Sequence, residues 1–132
     1  MARQYSVAVR NAWLAAYETT IGAAPKLRLY DGSIPADCAT PADGTLIWES
    51  DCPSDWMGTP SGGFVAKLGT WQDDAIADGT VQYYRMYDGG LTTCHEQGTA
   101  GVADTDIIVS NASVVTGQSL TVNTWGMTAP GA

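Results

Sequence analysis

Positive charge is scarce in this chain. Lys and Arg total 6 against 14 Asp and Glu, a formal net charge of -8. DNA, RNA and anionic membranes each demand a basic patch, so nucleic-acid and membrane partners are not expected. Long apolar runs are missing too, and nothing approaches the ~20 residues that cross a bilayer. Residues 1–5 lack the basic-then-apolar plan of a secretion signal, so synthesis in the cytoplasm is the expectation. Histidine occurs once, as His95, and any Ser-His-Asp or Cys-His constellation would have to use it. The three cysteines, Cys38, Cys52 and Cys94, are an odd set without a C-x-x-C pair. That pattern fits neither an exported disulfide framework nor a zinc site. Cys38 and Cys52 flank a Pro/Asp/Gly-rich loop and would pair in an exported chain, but reduced thiols are the expectation.

Helix formers are also few, with only 3 Glu and 2 Lys beside 15 Gly, 15 Thr and 11 Asp. Asp serves turns by bonding nearby backbone, and β-branched residues suit strands, so short strands joined by turns are expected. A chain of 132 residues buries enough surface to make one domain over 1–132. Residues 6–20 form the one convincing helix: Val9, Trp13 and Tyr17 recur every four residues, with Leu14 and Ile21 beside them. Ser6 is its N-cap and Gly22 its stop, while Arg10, Asn11 and Glu18 are the polar positions. Residues 1–22 thus read as an N-terminal arm and helix, and 23–132 as the β-rich remainder.

From Pro25 onward the period is two. Residues 26–30, 45–49, 63–68, 81–87, 92–98, 106–110 and 119–128 read as strands, with an irregular loop over 50–62 and acidic turn material over 73–79. In 81–87, Gln82, Tyr84 and Met86 point one way and Tyr83, Arg85 and Tyr87 the other. Strands at this spacing predict a mainly β fold, a β-sandwich or jelly-roll-like domain with one N-terminal α-helix. Residues 129–132 read as a frayed tail.

Catalytic motifs are not assembled by spacing. Cys94 and His95 are neighbours, which in a strand point to opposite faces. Asp73, Asp74 and Asp78 crowd before Gly79, but no Glu closes an EF-hand loop, and solvated turn carboxylates are the plainer reading. Residues 58–63 carry no Lys-Ser/Thr after their glycines and are not a P-loop, and Ser61 is not in G-x-S-x-G order. No enzyme, cofactor or metal is expected.

Aromatics are the richest feature: Trp13, Trp48, Trp56, Trp71 and Trp125 with six Tyr. Core packing is one use of such rings and a contact surface is the other. Five Trp exceed what one small core readily takes in. The candidate partner-binding residues are therefore Val9, Trp13, Leu14 and Tyr17 on the helix, with Trp56 and Met57 in the loop, because loops present contacts on a rigid scaffold.

Several strings occur together in order. Arg10-Asn11-Ala12 leads through Glu18-Thr19-Thr20-Ile21-Gly22 to Ala24-Pro25-Lys26-Leu27. Pro53-Ser54-Asp55-Trp56, Gly69-Thr70-Trp71 and Thr93-Cys94-His95-Glu96-Gln97-Gly98-Thr99 follow, then 106–111 and Gly117-Gln118-Ser119-Leu120-Thr121-Val122. This series resembles a family of small virion proteins of tailed bacteriophages and prophages. The resemblance implies a capsid cement (decoration) protein on the virion surface, binding across seams between copies of the major capsid protein. It also implies self-association as a dimer or trimer, and it carries no catalytic residues. The T-C-H-x-Q-G string that holds Cys94 and His95 reads as strand-and-turn architecture. Residues 1–22 would then pack on a neighbouring subunit. A tail or fibre component is the first alternative, a carbohydrate-binding β-sandwich module the second, and a hydrolase the third.

Overall fold

A computed structural model describes residues 3–132; residues 1 and 2, the start of the expected arm, lie outside that range. Helix α1 (Val7–Ile21) begins where expected, because Ser6 is extended and its hydroxyl accepts from the Val9 amide at 3.2 Å. Gly22, at φ +89°, ends it and donates its N–H to the Glu18 carbonyl. The buried face is turned by one residue from the expected stripe: Arg10, Leu14 and Ile21 are buried, Tyr17 is half-buried, and Val9 and Trp13 are exposed. The helix is thus integral to its own domain, with one face inserted into the core.

The strands are β1 (Lys26–Asp31), β2 (Thr45–Asp51), β3 (Phe64–Ala66), β4 (Trp71–Asp74), β5 (Gly79–Thr80), β6 (Tyr83–Tyr87), β7 (Cys94–Gly101), β8 (Ile107–Val109), β9 (Ser113–Val114), β10 (Ser119–Thr124) and β11 (Gly126–Thr128). The fold is mainly β with one N-terminal helix, as the composition predicts. Seven strands form one mixed sheet in the order β2-β1-β6-β7-β8-β10-β4, in which only the β7–β8 pair is parallel. Its outer strands approach each other: the Ile76 amide donates to the Ile47 carbonyl at 2.9 Å, and Trp48 Nε1 donates to the Asp73 carbonyl at 2.9 Å. The sheet is therefore barrel-like and nearly closed, rather than clearly split into the two layers of a sandwich. Two ribbons, β3–β11 and β5–β9, complete the fold.

Alternation sets the core. Leu27 and Leu29 of β1, Tyr84 and Met86 of β6, and Leu120 and Val122 of β10 point inward and are buried. Tyr83 and Arg85, on the opposite face of β6, are buried as well, because residues 32–44 fold back over them. Three expected segments differ. The strand expected over 119–128 is broken at Trp125, whose ring turns into the core. Asp73 and Asp74 belong to β4, where they pair with Leu120 and Ser119. The tail is not frayed at its start: Ala129 is buried, its amide donates to the Gly63 carbonyl at 2.8 Å, and its own carbonyl accepts from Arg10.

Candidate partner-binding surface

Four of the five tryptophans serve the core. Trp56, Trp71 and Trp125 form one cluster, with ring centroids 5.5 to 6.3 Å apart, and Tyr17 stacks on Trp125 at 6.2 Å. Burying an indole requires a partner for its N–H. Trp56 donates to the Gly22 carbonyl at 2.9 Å, Trp71 to the Leu68 carbonyl at 3.0 Å, and Trp125 to Glu96 Oε2 at 3.0 Å. Trp56 is 0% exposed, and Met57 and Leu14 are buried beside it. These three residues therefore leave the expected contact surface. The loop that carries Trp56 and Met57 folds inward because its indole satisfies the carbonyl that ends α1.

Trp13 remains. It is 42% exposed and lies edge-on to Tyr5 at 4.8 Å, one helical turn from exposed Val9. Between α1 and β7 runs an open groove of about 310 Å³ lined by Trp13, Ala16, Tyr17, Thr20, Ile21 and His95. Of the six candidate residues, the structure brings Val9, Trp13 and the edge of Tyr17 to one outer face.

The position of His95 in that groove follows from a β-bulge. Met86 pairs with Glu96 but Tyr87 pairs with Cys94, so His95 is the extra residue of β7. A bulge re-aims a side chain and shifts which face its neighbours occupy. Glu96 thus shares a face with Met86 and points to the aromatic core, where Tyr17, Tyr84 and Trp125 all donate to its carboxylate. Burial first, and then the Glu96 charge, holds the Tyr17 and Tyr84 phenols far above their ordinary value of 10.0. Glu96 accepts three hydrogen bonds from groups that keep their protons. It acts as a fixed node joining α1, β6, β7 and the turn after β10. Sequence reading placed Glu96 in a motif without a role; its signal, an acid in an aromatic-rich strand context, is visible only once its partners are known.

Gln97 and Cys94 lie on the other face, under residues 32–44. Gln97 Nε2 donates to the Pro35 carbonyl at 2.8 Å, and Arg85 Nη2 donates to the carbonyls of Asp37 at 3.1 Å and Thr40 at 2.6 Å. The Tyr83 hydroxyl donates to the Asp43 carbonyl at 2.6 Å and accepts from its amide at 2.9 Å. Cys94 Sγ lies 2.7 Å from Cys38 Sγ in that loop, whereas Cys52 is buried elsewhere, at the end of β2. Cys38 therefore has Cys94 as its neighbour and not Cys52.

The clustered acids have local work. Asp78 accepts from the amide and hydroxyl of Thr116, and Asp88 from those of Thr92, which holds the Asp88 carboxyl down at about 2. Among the described residues, no three His, Cys, Asp or Glu side chains converge as a metal site, and no helix is long and apolar enough to cross a membrane. Compared with models of known families, with curated proteins and with solved structures, the chain matches none.

Proposed function

We propose that this chain is a structural protein of a tailed-phage virion, a cement (decoration) protein that binds across seams of the major capsid protein and self-associates as a dimer or trimer. The observation that supports this most directly is the outer face of α1. Val9 and Trp13 project from a helix whose opposite face is fixed into the barrel through Arg10, Leu14 and Ile21. A contact ring on a rigid mount loses little freedom on binding. A shell repeats each contact many times, so a small patch suffices through avidity. The net charge of -8 would complement a basic shell surface and steer docking. The resemblance of the ordered motifs to those of small phage virion proteins points the same way.

Quantitative mass spectrometry of purified particles tests the reading by giving copies of this chain per major capsid protein. A simple fraction of the shell count, together with fragile shells when the chain is missing, is the expected result. A handful of copies would place it in the tail or fibre, and absence from particles would overturn the virion reading. One observation favours a second reading, a carbohydrate-binding module: the groove sets the Trp13 ring beside His95 and Thr20, and aromatic faces stack on sugar rings. Titrating soluble polysaccharides against tryptophan fluorescence tests it.

A further inference from the structure

Two thiols far apart in sequence are brought together by features that do not depend on any bond between them. The loop over 32–44 is held on β6 and β7 by Arg85, Gln97 and Tyr83, which fix the backbone on both sides of Cys38. The Asp37 carboxylate accepts from the amide and hydroxyl of Thr40, both at 2.8 Å, and braces the turn that contains Cys38. On the facing strand, the bulge at His95 places Cys94 opposite Tyr87, on the face that the loop covers. Without that extra residue, Cys94 would point toward the Glu96 side. The two sulfurs end 2.7 Å apart, within about 0.7 Å of a covalent S–S bond. Both residues are only half-buried, so a small oxidant can reach them. We propose that Cys38 and Cys94 are a modification site: they close into an intramolecular disulfide that staples residues 32–44 onto β7 once the chain meets an oxidising thiol–disulfide pool.

A low-molecular-weight disulfide such as oxidised glutathione is the co-reactant. Burial, then the hydrogen bond with Cys38, pushes the Cys94 thiol up to about 12. One thiol of the pair gives up its proton and attacks one glutathione sulfur, the glutathione S–S bond breaks, and one glutathione leaves as a thiol. The other then gives up its proton and attacks the protein sulfur of that mixed disulfide, expelling the second glutathione. The protein loses two hydrogens and two electrons, and the glutathione disulfide is reduced to two thiols. Cys52 takes no part, since it is buried apart from the pair, at the end of β2. The bond would form whether or not the chain is a virion component.

The test uses the full chain, reduced and then incubated with oxidised glutathione. Remaining thiols are alkylated, and the protein is cleaved before aspartate, which separates Cys38 from Cys52 at Asp43 and Asp51. The expected map joins the Cys38 and Cys94 peptides within one chain and leaves Cys52 alkylated. The oxidised form should melt roughly 10 °C above the reduced form, a shift absent from Cys38→Ser and from Cys94→Ser. The map of the unaltered chain decides even if a variant fails to fold. Alkylation of both Cys38 and Cys94, a bond from either to Cys52, or a bond between two chains would overturn the proposal.

Discussion

Arg10 holds the carbonyl oxygen of Ala129 with two hydrogen bonds, from Nε at 3.1 Å and from Nη2 at 2.8 Å, across 119 residues of sequence. Arg10 is only 5% exposed, and Nη1 also reaches the Gly62 carbonyl at 3.4 Å. Among the described residues it has no carboxylate within ion-pair distance. Backbone carbonyls alone replace its water. Asn11 supports the same junction by accepting from the Gly63 amide at 2.8 Å. The first helix, the loop before β3 and the segment after β11 are thus tied at one point.

Removing that tie should be costly. Arg10→Ala leaves the Ala129 carbonyl without its donors and is expected to lower stability by about 3 kcal/mol in urea unfolding. Arg10→Lys should recover little, since an ammonium cannot present the planar fork. Gly63 gives an internal check. A Cβ there would sit 2.3 Å from the guanidinium carbon, at a backbone φ of +75°. Gly63→Ala should therefore cost clearly less in the Arg10→Ala background than in the unaltered protein. Equal costs in the two backgrounds would disprove the steric coupling.

Alkaline pH should destabilise the protein. Tyr17 and Tyr84 are held protonated mainly by burial, Tyr30 is pushed up to about 12 mainly by burial, and so is Cys52. In each case the folded chain keeps a proton that the unfolded chain releases. Their contribution is fully present below the ordinary thiol value of 9.0 and is lost as pH rises through it and through the phenol value of 10.0. Each group removes about 1.4 kcal/mol per pH unit while only the unfolded chain has let its proton go. Urea midpoints from about pH 8 to about pH 11, with thiols kept reduced, should fall steeply. Tyr17→Phe should flatten that fall by one group's share; an unchanged slope would rule out the Tyr17 contribution.

Trp13 and Trp56 should separate binding from folding. Trp13→Ala trims an exposed ring and is expected to change stability by less than about 1 kcal/mol, while particle occupancy drops several-fold. Trp56→Ala opens a cavity in the aromatic cluster and removes the donor to Gly22, costing about 3–5 kcal/mol. Thermal melts and occupancy per capsid subunit read the two effects. Full occupancy by the Trp13 variant would remove the α1 face from the proposed interface.

What was legible in sequence was local. The cap at Ser6, the stop at Gly22 and the alternation of β1 and β6 all rest on chemistry within a few residues. Arg10 reads only as a polar position of the helix because its partners are the backbone of Gly62 and Ala129, which carry no side-chain signal. Trp56 and Met57 read as surface because an irregular loop is usually exposed, and only the carbonyl at the end of α1 draws the indole inward. Closure of the sheet depends on strand order, and alternation does not encode which strands become neighbours. The cysteine pairing turned on one extra residue at His95, which shifts Cys94 by a face without leaving a mark in the composition.

The Tyr5 amide donates to the Gly131 carbonyl at 2.7 Å, and a Cβ at Gly131 would lie 2.2 Å from the Tyr5 ring. Tyr5 and Gly131 therefore lie side by side near the two limits of the described residues, and the same Tyr5 ring rests against Trp13. A domain with adjoining ends tolerates insertion into a host loop or circular permutation. The geometry also warns the experimenter. An affinity tag or display cargo attached next to Tyr5 or Gly131 would lie close to Trp13. Only a passenger carried in a distant turn would leave the helix face open.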